Sequence, residues 1–577
     1  MISRFCVLLA SLLLGLIPYD SPAAEIHVPQ DYPTIQSAVD AASNGDTIVV
    51  APGLYIESVT VAMKELVLTS SNPGSPATVA ATIIQASGNH PCLYLSAASS
   101  SVIDGFTLKD SPSGVSPTSI ILSTQSFPSI LNCMIEVSGQ EWAINSASTW
   151  DQPMLIEGNS ITAKGSPLHI GGNTVIRGNE ISGHGAIEGV LSRCIIDHNI
   201  IIGCGIDVPS GGVLSRNTIV SPGIVNINGG SAFGNTLVGS RIWTNGGTIA
   251  GNSIVGSNGR AIYYEARMPI YIGDNLIADC EYGIYALGTT PAFSAVGNKI
   301  LNARYCGIYS LISGILAQRN LNVLVQENLI AECPAGVMLR HGYYASSSVI
   351  GNTIVGCLGR GLDMDVQGCV VDNIIYGNGR AGQSDVAVVY EDVAFRDNLI
   401  SHVSVLPGEE DHLIWGPGNI DADPLFVDPG HWDDHGTPAD PSDDTFVLGD
   451  YHLLPGSPCI DAGTNDIDNP ATTEVETLPA TDLAGITRVI DGNRDGTATV
   501  DIGAYEYLPG DVNYDGKVNV IDLILVRNSI CRDPASSPAA RKADLNNDGK
   551  VNVLDLIAAR NGTGKLGACP RFSTKCP

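Results

Sequence analysis

A short pattern repeats through the middle of this chain: an asparagine, any residue, and then an aliphatic residue. Twelve copies share one register, and a thirteenth match at Asn226 lies out of register. Consecutive copies are 17 to 30 residues apart, a loose period that is typical of a solenoid. The copies begin at Asn159, Asn179, Asn199, Asn217, Asn235, Asn252, Asn275, Asn298, Asn328, Asn352, Asn373 and Asn398.

The residues between these copies favour strands over helices. Short runs of Ile, Val and Leu are broken by Gly and Asn, and nothing there has the spacing of an amphipathic helix. Such a repeat can bury its apolar side chains only by stacking one coil on the next. The pattern therefore predicts an all-β protein, a right-handed parallel β-helix. Each asparagine is expected at a left-handed turn, with its amide bonded to the asparagine of the next coil about 4.8 Å away.

Four cysteines support this register, because each falls five residues after the asparagine of its own repeat. Thiols in one column could serve metal or redox chemistry. The alternative, which we favour, is that they are small apolar side chains stacked inside the coil. These residues are Cys204, Cys280, Cys333 and Cys357.

Composition and the N-terminal residues indicate the compartment. The formal net charge of -30 argues against a nucleic acid partner, since phosphate binding needs a basic surface. Arg4 followed by the apolar run from Cys6 to Ile17 is typical of a secretory signal, and we expect cleavage after Ala24. No later segment has eighteen consecutive apolar residues, so we expect an exported protein without a membrane span.

A β-helix domain is expected over residues 25–400. Ile35, Ala38, Val39 and Ala42 recur at helical spacing near its start, which predicts a short helix that caps the first coil. The stretch from Ile26 to Glu57 resembles the N-terminal entry of secreted β-helix proteins related to pectin esterases and to NosD-type repeat proteins. That resemblance implies the cap and the pectin lyase-like fold, without an esterase site.

Residues 401–509 differ in character, with 22 acidic residues against two basic ones. Stretches of sequence such as Val500 to Tyr507 resemble the closing region of bacterial β-helix proteins, so we expect an irregular C-terminal cap. Asp491, Asn493 and Asp495 alternate and are followed by Gly496, as at the start of a calcium loop. Position twelve of that loop is Ile502, so a third calcium ion and a solvated turn both stay open.

Two near-copies of a twelve-residue loop lie 33 residues apart near the C-terminus. Ca²⁺ takes six to eight oxygen ligands, and side chains at loop positions 1, 3, 5, 9 and 12 with the carbonyl at position 7 can surround one ion. The positions of the first loop are Asp511, Asn513, Asp515, Lys517, Asn519 and Asp522, and those of the second are Asp544, Asn546, Asp548, Lys550, Asn552 and Asp555.

The duplication, the Asp at position twelve and the helical stretch after each loop resemble a type I-like dockerin, covering residues 510–577. This resemblance implies two calcium ions, a cohesin-bearing scaffold or surface protein as partner, and a secreted or surface-attached location. Loop positions ten and eleven depart from the hydroxylated residues common in cellulosomal dockerins. They are Val520, Ile521, Val553 and Leu554.

Aligning the strand after each turn predicts two outward columns. The first outward column contains Tyr263, Tyr285, Tyr309, Met338 and Asp363. The second outward column contains Glu265, Leu287, Leu311, Arg340 and Asp365. We expect Tyr263, Glu265, Tyr285 and Tyr309 to bind sugar rings, and Arg340, His341, Asp363 and Asp365 to be the catalytic candidates. An ordinary β-sheet surface rich in tyrosine is the alternative.

Together these observations predict a secreted protein that binds, and in one alternative cleaves, an acidic plant or algal polysaccharide. Cleavage would follow a lyase route, with a base and a cation at the uronate carboxylate, or a hydrolase route with paired acids. The competing interpretation is a non-catalytic extracellular structural or adhesive protein. Thirteen cysteines remain once the signal is removed, so at least one unpaired thiol is expected, and a disulfide is expected among Cys531, Cys569 and Cys576 near the C-terminus.

Overall fold

The computed structural model describes residues 23–97, 100–111, 119–139, 142–146, 153–189, 193–288, 293–312, 321–341, 345–379, 384–389, 391–405, 412–436, 445–469 and 475–562. The predicted signal segment up to residue 22, together with Cys569 and Cys576, lies outside these residues. Contacts divide the chain into two compact units, Met1–Gly183 and His184–Pro577.

The first unit consists of parallel coils and two short helices. Helix α1 spans Ile35–Ala41 and begins after Thr34, whose side chain accepts a hydrogen bond from the Ser37 N–H, and helix α2 spans Pro76–Ala81. Ile35, Ala38 and Val39 are buried, so the predicted N-terminal helix is confirmed. The strands are Glu25–Val28, Thr47–Val50, Gly53–Ile56, Val59–Ala62, Val67–Ser70, Thr82–Gln85, Leu93–Ser96, Val102–Asp104, Thr107–Lys109, Ser119–Thr124, Ser129–Leu131, Met134–Val137, Trp142–Ser146, Met154–Glu157, Ser160–Ala163, Leu168–Ile170, Thr174–Arg177 and Glu180–Ser182.

The second unit contains further parallel coils, then two antiparallel strand pairs and three helices. Its parallel strands are Ala186–Gly189, Ile195–Asp197, Ile200–Ile202, Gly205–Val208, Val213–Ser215, Thr218–Val220, Ile224–Phe233, Thr236–Val238, Arg241–Ala250, Ser253–Val255, Arg260–Ala266, Ile270–Gly273, Leu276–Gly288, Phe293–Val296, Lys299–Ile312, Leu321–Gln326, Leu329–Ala331, Val337–His341, Ala345–Ile350, Thr353–Val355, Leu362–Asp365, Gln367–Val371, Ile374–Tyr376, Val386–Val388, Val393–Arg396, Leu399–Ile400, Val403–Val405 and Leu413–Trp415. The antiparallel pairs join Phe426–Asp428 to Asp450–Leu453 and His431–Asp433 to Thr445–Val447.

The aliphatic residue of each repeat forms the core of the coils. In the second unit these side chains stand directly above one another in the parallel register, and all are buried: Ile201, Ile219, Leu237, Ile254, Ile277, Ile300, Ile330, Ile354, Ile375 and Ile400. The predicted parallel β-helix is confirmed, because burial here comes from stacking coil on coil.

The cysteine column also lies inside the coil. Cys204, Cys280, Cys333 and Cys357 are buried and unpaired, and burial raises the pKa of Cys204 and Cys280 to about 12. A thiol that stays protonated is a poor nucleophile and a poor metal ligand. The structure therefore supports the packing interpretation of this column.

The repeated asparagines form a hydrogen-bonded ladder within each unit. From Asn199 to Asn398 in the second unit, each side-chain amide donates to the Oδ1 of the next asparagine at 2.8 to 3.0 Å, as does each backbone N–H at 2.9 to 3.2 Å. Asn159 and Asn179 are joined in the same way in the first unit. Asn419 accepts the last hydrogen bond of this ladder. The sequence pattern did not include Asn419, because Asp421 stands where the other repeats have an aliphatic residue.

The predicted conformation of the asparagines is wrong in one respect. The left-handed residue is not the asparagine but the residue before it, with φ between 53° and 69° in all twelve repeats. Six of these positions are Gly, and charged residues such as Asp274 and Asp397 occupy others. The asparagine itself is free to point its amide into the coil, because the preceding residue makes the turn.

We expect Asn298→Ala to lower the free energy of unfolding by about 2 to 4 kcal/mol, because a buried unpaired polar group costs about 1 to 3 kcal/mol. The substitution leaves the Asn275 N–H without its acceptor, removes one of the two acceptors of the Asn275 side-chain amide, and removes the side-chain donor to the Ile272 carbonyl. Chemical denaturation followed by circular dichroism measures the loss. Asn302→Ala is the matched control, since Asn302 is exposed and its amide donates to the exposed Asp279 rather than to a buried group. Equal losses in the two variants would contradict a structural role for the ladder.

The described residues between 421 and 509, here called the tail, follow the last rung of the ladder and lie along the coils between residues 299 and 400. Apolar side chains of the tail pack on the outward face of the strands that follow the asparagines. Polar contacts add to this: the Thr353 hydroxyl accepts from the Ala504 N–H at 2.9 Å, and Asp372 accepts from the Thr464 N–H at 2.9 Å. Leu329, Ala331, Val355, Ile374 and Leu399 meet Phe426, Phe446, Tyr451, Leu453, Cys459, Ile502, Ala504, Tyr505 and Tyr507.

A buried ionic cluster joins the tail to the coils. The guanidinium of Arg488, 1% exposed, lies 3.1 Å from the carboxylate of Glu327 on the coils and 3.0 Å from that of Glu506 in the tail. It also donates to the carbonyls of Asp501 and Gly503. Burial raises the pKa of Glu327 to about 8, although the positive charge of Arg488 acts to lower it.

Three helices follow the tail: α3, Val520–Ser529, α4, Pro538–Ala543, and α5, Val553–Gly562. They enclose a small core of Val512, Val526, Ala540, Ala543, Val551 and Ala559. In the described part of the chain no helix is long and apolar enough to cross a membrane.

Candidate functional site

The strand register forms the two outward columns that the sequence predicts. Tyr263 pairs with Tyr285, Tyr285 with Tyr309, Tyr309 with Met338, and Met338 with Asp363. The second outward column runs through Glu265, Leu287, Leu311, Arg340 and Asp365 in the same strands. Trp243 extends the first outward column by one more coil, beside Tyr263.

The tyrosine rings face each other rather than solvent. Tyr285 and Tyr309 are stacked, with ring centroids 4.9 Å apart and 17° between the planes. The guanidinium of Arg260 lies 3.8 Å from the centroid of the Tyr285 ring and 4.9 Å from that of Tyr263. Since both faces of Tyr285 are covered, the expected stacking of a sugar on its flat face does not fit. The column instead offers ring edges and hydroxyl groups.

Two further tyrosines widen this surface, and sequence reasoning missed both. Tyr282 packs against Tyr285, Tyr305 and Tyr309 at centroid distances of 5.1 to 6.1 Å, and Tyr305 is 56% exposed. The register shifts between Cys280 and Tyr282, so simple alternation along the strand assigns the wrong face there. We call Tyr263, Tyr282, Tyr285, Tyr305 and Tyr309 with Arg260 the aromatic strip.

At the end of the first outward column, Arg340 is held by Asp363. Both guanidinium nitrogens of Arg340 donate to the carboxylate, at 2.8 and 2.6 Å, and Arg360 adds a third bond at 3.0 Å. Burial acts to raise the pKa of Asp363, but the hydrogen bonds and charges of the two arginines lower it below its ordinary value. Asp363 is therefore a fixed anion that orients Arg340, not a group that exchanges protons near neutral pH.

The remaining predicted residues have different environments. Burial raises the pKa of Asp365, and no hydrogen bond or ion pair to it is formed within the described residues. Glu265 is paired with Arg267 at 2.8 Å. His341 is the last residue of the strand Val337–His341, and its side chain lies outside the described part. Of the proposed catalytic group, only Arg340, Asp363 and Asp365 are thus brought together.

The two duplicated loops share most of their hydrogen bonds and differ at one, since Asp522 accepts from the N–H of position two and Asp555 from that of position three. The position-one carboxylate accepts from the N–H groups of positions five and six, at 3.2 and 2.8 Å for Asp511 and at 3.1 and 2.9 Å for Asp544. The position-twelve carboxylate, Asp522 or Asp555, accepts from the N–H of position nine at 2.8 Å in both loops. Gly516 and Gly549 provide the left-handed bend at position six, with φ of 78° and 80°.

The donor set of these loops fits calcium. Asp511, Asp522, Asp544 and Asp555 are each at most 4% exposed, and none is ion-paired with a protein cation in the described residues. Burial raises the pKa of Asp511 to about 6, and the charge of Asp522 acts in the same direction. No three His, Cys, Asp or Glu side chains of the described chain converge on one point, so amide and carbonyl oxygens must complete any shell. An all-oxygen set of this kind suits a hard divalent cation.

A third loop, residues 491–499 of the tail, repeats this geometry. Gly496 N–H bonds to Asp491 at 3.1 Å, Asp495 N–H to Asn493 at 2.8 Å, and Thr497 N–H to Asp495 at 2.8 Å, the same pattern as in the two duplicated loops. Residue four is left-handed in all three loops: φ is 64° at Arg494, 56° at Tyr514 and 50° at Asn547.

The third loop has Ile502 at position twelve, and an acid from another segment of the tail takes the place of the position-twelve acid. Asp461, 30 residues before Asp491, accepts from the N–H groups of Gly492 and Asn493 and is also hydrogen-bonded to the Thr499 backbone, which is position nine. Position-twelve Asp555 makes the corresponding bonds to positions three and nine of its own loop. One oxygen of Asp491 is buried without a hydrogen-bond partner.

Helices α3 and α5 leave an apolar surface uncovered. Val520 and Val553, at loop position ten, are 64% and 60% exposed, and Ile521 and Leu554, at position eleven, are 50% and 55% exposed. Ile524 and Ile557 continue the same surface one turn later. Since such residues are normally buried in a small domain, their exposure indicates a binding surface for another protein.

Comparison with family models assigns both regions. Residues 509–560 match the dockerin type I domain, and residues 241–404 match the right-handed β-helix region. The chain is a right-handed β-helix protein with a C-terminal type I dockerin. A dockerin of this type typically binds calcium and implies a cohesin partner in an extracellular assembly.

No curated protein matches the chain. Solved structures similar to it include a mannuronic acid-specific polysaccharide family 6 lyase from human gut microbiota, with 13% identity, 69% of this chain and 92% of the other covered, and a TM-score of 0.28. A pectate lyase has 11% identity, 84% and 97% coverage and a TM-score of 0.18. An α-1,3-glucanase from Streptomyces thermodiastaticus has 12% identity, 70% coverage of each chain and a TM-score of 0.22. Similarity at this level has no bearing on activity or substrate.

Proposed function

We propose that this protein is a secreted glycan-binding β-helix that its calcium-loaded dockerin attaches to a cohesin-bearing scaffold or surface protein. The observation that carries the proposal is the combination, in one chain, of a dockerin with a strip of five tyrosines and an arginine on an outward face of the coils. The dockerin supplies attachment, and the aromatic strip supplies recognition.

Binding at the aromatic strip would use the hydroxyl groups at the edges of the tyrosine rings together with the guanidinium of Arg260. The phenol hydroxyls are donors and acceptors suited to sugar hydroxyls. Arg260 forms no ion pair within the described residues, whereas Arg340 is saturated by Asp363. We therefore assign the recognition of a uronate carboxylate to Arg260 rather than to Arg340. The preferred ligand is then an acidic polysaccharide.

We expect Tyr285→Ala to weaken binding of an acidic glycan about tenfold, which corresponds to about 1.4 kcal/mol. The loss follows because Tyr285 contacts Tyr309, Tyr263 and Arg260 and so orders the whole strip. Affinity electrophoresis of the full chain in gels containing polygalacturonate, alginate or a neutral glucan measures the effect. Tyr271→Ala is the matched control, because Tyr271 is 38% exposed on another strand face.

Retention of binding by Tyr285→Ala, or an equal loss in Tyr271→Ala, would reject the aromatic strip as the binding surface. Absence of binding by the unsubstituted chain to every glycan would favour the alternative function, a non-catalytic structural or adhesive β-helix presented by the dockerin. The tyrosines would then be an ordinary strand surface.

Cleavage is a second candidate function, favoured by the environment of Asp365. Its raised pKa suits a general base, and no hydrogen bond or ion pair within the described residues occupies its carboxylate. A hydrolase with paired acids is disfavoured, because the Asp363 carboxylate already accepts three hydrogen bonds from Arg340 and Arg360 and is not free to act as a nucleophile or base. Of the two routes, elimination by a lyase fits this geometry better.

We further propose a third calcium ion in the loop of Asp491, Asn493 and Asp495, with Asp461 in the place of the position-twelve acid. We expect titration calorimetry of the full chain to show three calcium ions bound, and Asp491→Ala to bind two. Asp466→Ala, an exposed residue of the tail, should still bind three. Three ions bound by Asp491→Ala, or two by the unsubstituted chain, would identify the loop as a solvated turn.

A further inference from the structure

The fourth residue of each calcium-type loop points across the boundary between the dockerin and the tail. Tyr514 and Asn547 hold this position in the dockerin, and Arg494 holds it in the tail. All three are left-handed, and their side chains contact residues outside their own loops. A residue in this conformation keeps it only while the loop around it is folded, because the left-handed region is unfavourable for a non-glycine residue.

Tyr514 makes the most extensive of these contacts. Its hydroxyl donates to the Leu453 carbonyl at 3.2 Å, and its ring stacks on His452 with centroids 4.8 Å apart. The other neighbour of His452 is Tyr505, at 4.3 Å, so the imidazole lies between two aromatic rings. Lys542 of the dockerin lies 4.8 Å from the centroid of the Tyr514 ring.

The second loop holds the same tail segment a few residues further on. A Cβ at Gly456, where φ is 81°, would lie 2.1 Å from the amide nitrogen of Asn547, so the two segments are in close contact. Lys542 forms an ion pair with Asp450 at 3.3 Å, and Asp450 also bonds to His452 at 2.6 Å. Residues 450–456 are therefore in contact with both dockerin loops.

The third loop completes the contact from the opposite side. Arg494 donates to the carbonyls of Pro509 and Ala558 at 3.3 Å each. Val518 of the dockerin packs with Ile486 and Leu508 of the tail. A cleft of about 240 Å³ remains between these parts, lined by residues such as Asn493 of the third loop and Asn546 of the second.

We infer that calcium binding by the dockerin fixes the tail segment 450–456, so that the dockerin and the tail form one calcium-dependent body rather than two modules on a flexible connection. This inference rests on the proposed calcium loading of the dockerin. Calcium favours the folded loops, the folded loops place Tyr514 and Asn547, and those residues hold the tail. By linkage, the tail contacts in turn strengthen calcium binding.

The docked arrangement leaves the apolar surface of the dockerin accessible. Val520, Ile524, Val553 and Ile557 are each at least 41% exposed although the loops face the tail. A cohesin bound to this surface would therefore be held at a fixed orientation to the tail and to the coils between residues 299 and 400. The calcium concentration would control that orientation as well as the binding itself.

Hydrogen exchange of the full chain, measured by mass spectrometry with calcium and with EGTA, tests the inference. We expect calcium to slow exchange of the amides in residues 450–456 at least about tenfold. Tyr514→Ala should still bind calcium in calorimetry, since residue 514 is not a ligand, but should lose this protection. Tyr514→Phe keeps the ring and removes only the hydroxyl, so it should retain part of the protection. Asp533→Ala, an exposed dockerin residue outside both loops and outside the apolar surface, should show the same protection as the unsubstituted chain.

Equal exchange of residues 450–456 with calcium and with EGTA, while calorimetry shows calcium bound, would overturn the coupling and leave the proposed function intact. Full protection in Tyr514→Ala would overturn it as well. Absence of calcium binding in calorimetry would overturn both the inference and the calcium-loaded dockerin on which it rests.

Discussion

Replacing Arg488 by methionine is expected to lower the free energy of unfolding by about 3 to 5 kcal/mol, the usual cost of removing one partner from a buried ionic cluster. The substitution leaves Glu327 and Glu506 buried at the same place without their cation. It also removes the donor to the Gly503 carbonyl. Since Arg488 bridges the tail and the coils, we expect the tail to detach in a separate early transition.

The destabilisation should be larger at high pH. Each carboxyl left without its cation must either take up a proton or stay charged in an apolar environment. Because Glu327 has a pKa of about 8 even beside Arg488, it is largely protonated at pH 5 with or without the cation, and loss of the cation destabilises the variant more as the pH rises through 8. Urea denaturation at pH 5 and pH 8 followed by tryptophan fluorescence measures both effects, because Trp432 lies in the tail and packs on Phe446.

Two controls distinguish the buried cluster from a general loss of charge. Arg216→Met removes a guanidinium that is 61% exposed and pairs with Asp197 at 2.9 Å, so a loss below about 1 kcal/mol is expected. The double variant Arg488→Met with Glu327→Gln should recover part of the stability, because one buried carboxylate is removed together with the cation. A loss of the same size in Arg216→Met, or no recovery in the double variant, would contradict the assignment.

Removing calcium is expected to unfold the dockerin and abolish capture of a cohesin. At a calcium concentration about a hundredfold above the dissociation constant, each ion contributes about 2.7 kcal/mol, which is most of the stability available to a domain of this size. The small core of six buried side chains cannot replace that contribution. Loss of the helical signal of α3 and α5 on addition of EGTA, and its recovery with excess calcium, measures the effect.

Single substitutions assign this effect to the loops. Asp515→Ala and Asp548→Ala should each remove one calcium ion from the calorimetric stoichiometry and weaken cohesin capture. Asp533→Ala is the matched control, because this exposed aspartate caps the turn at Ala535 and lies outside both loops. Full cohesin capture in EGTA would exclude calcium as the cofactor of this dockerin.

The features that could be predicted from the sequence are those set by neighbours within one repeat or one loop. The asparagine ladder, the stacked isoleucines and both outward columns follow from a period of two along strands and a shared register between coils. The calcium loops follow from ligand spacing within twelve residues. The prediction failed for the left-handed residue of each turn, since the preceding residue, Gly in six repeats and often charged in the others, has no single identity.

Other features of the site depend on segments that are far apart along the chain. Asp461 completes the third loop from 30 residues away, and Tyr282 and Tyr305 join the aromatic strip because a register shift turns them outward. Arg340 is a predicted catalytic cation that Asp363 saturates, while Arg260 stays available beside Tyr285. Predicting these features requires knowing which side chains contact one another in the folded chain.

By itself, then, the sequence determined the repeating coil, the buried columns and the ligand spacing of the dockerin, because periodicity and spacing are local and survive without tertiary detail. The tertiary structure alone decided that the tail lies along the coils, that Arg488 joins them, and that Tyr514 and Asn547 hold residues 450–456. The physical reason is that packing of irregular segments depends on the shape and charge of a distant surface, and no period in the sequence encodes that surface.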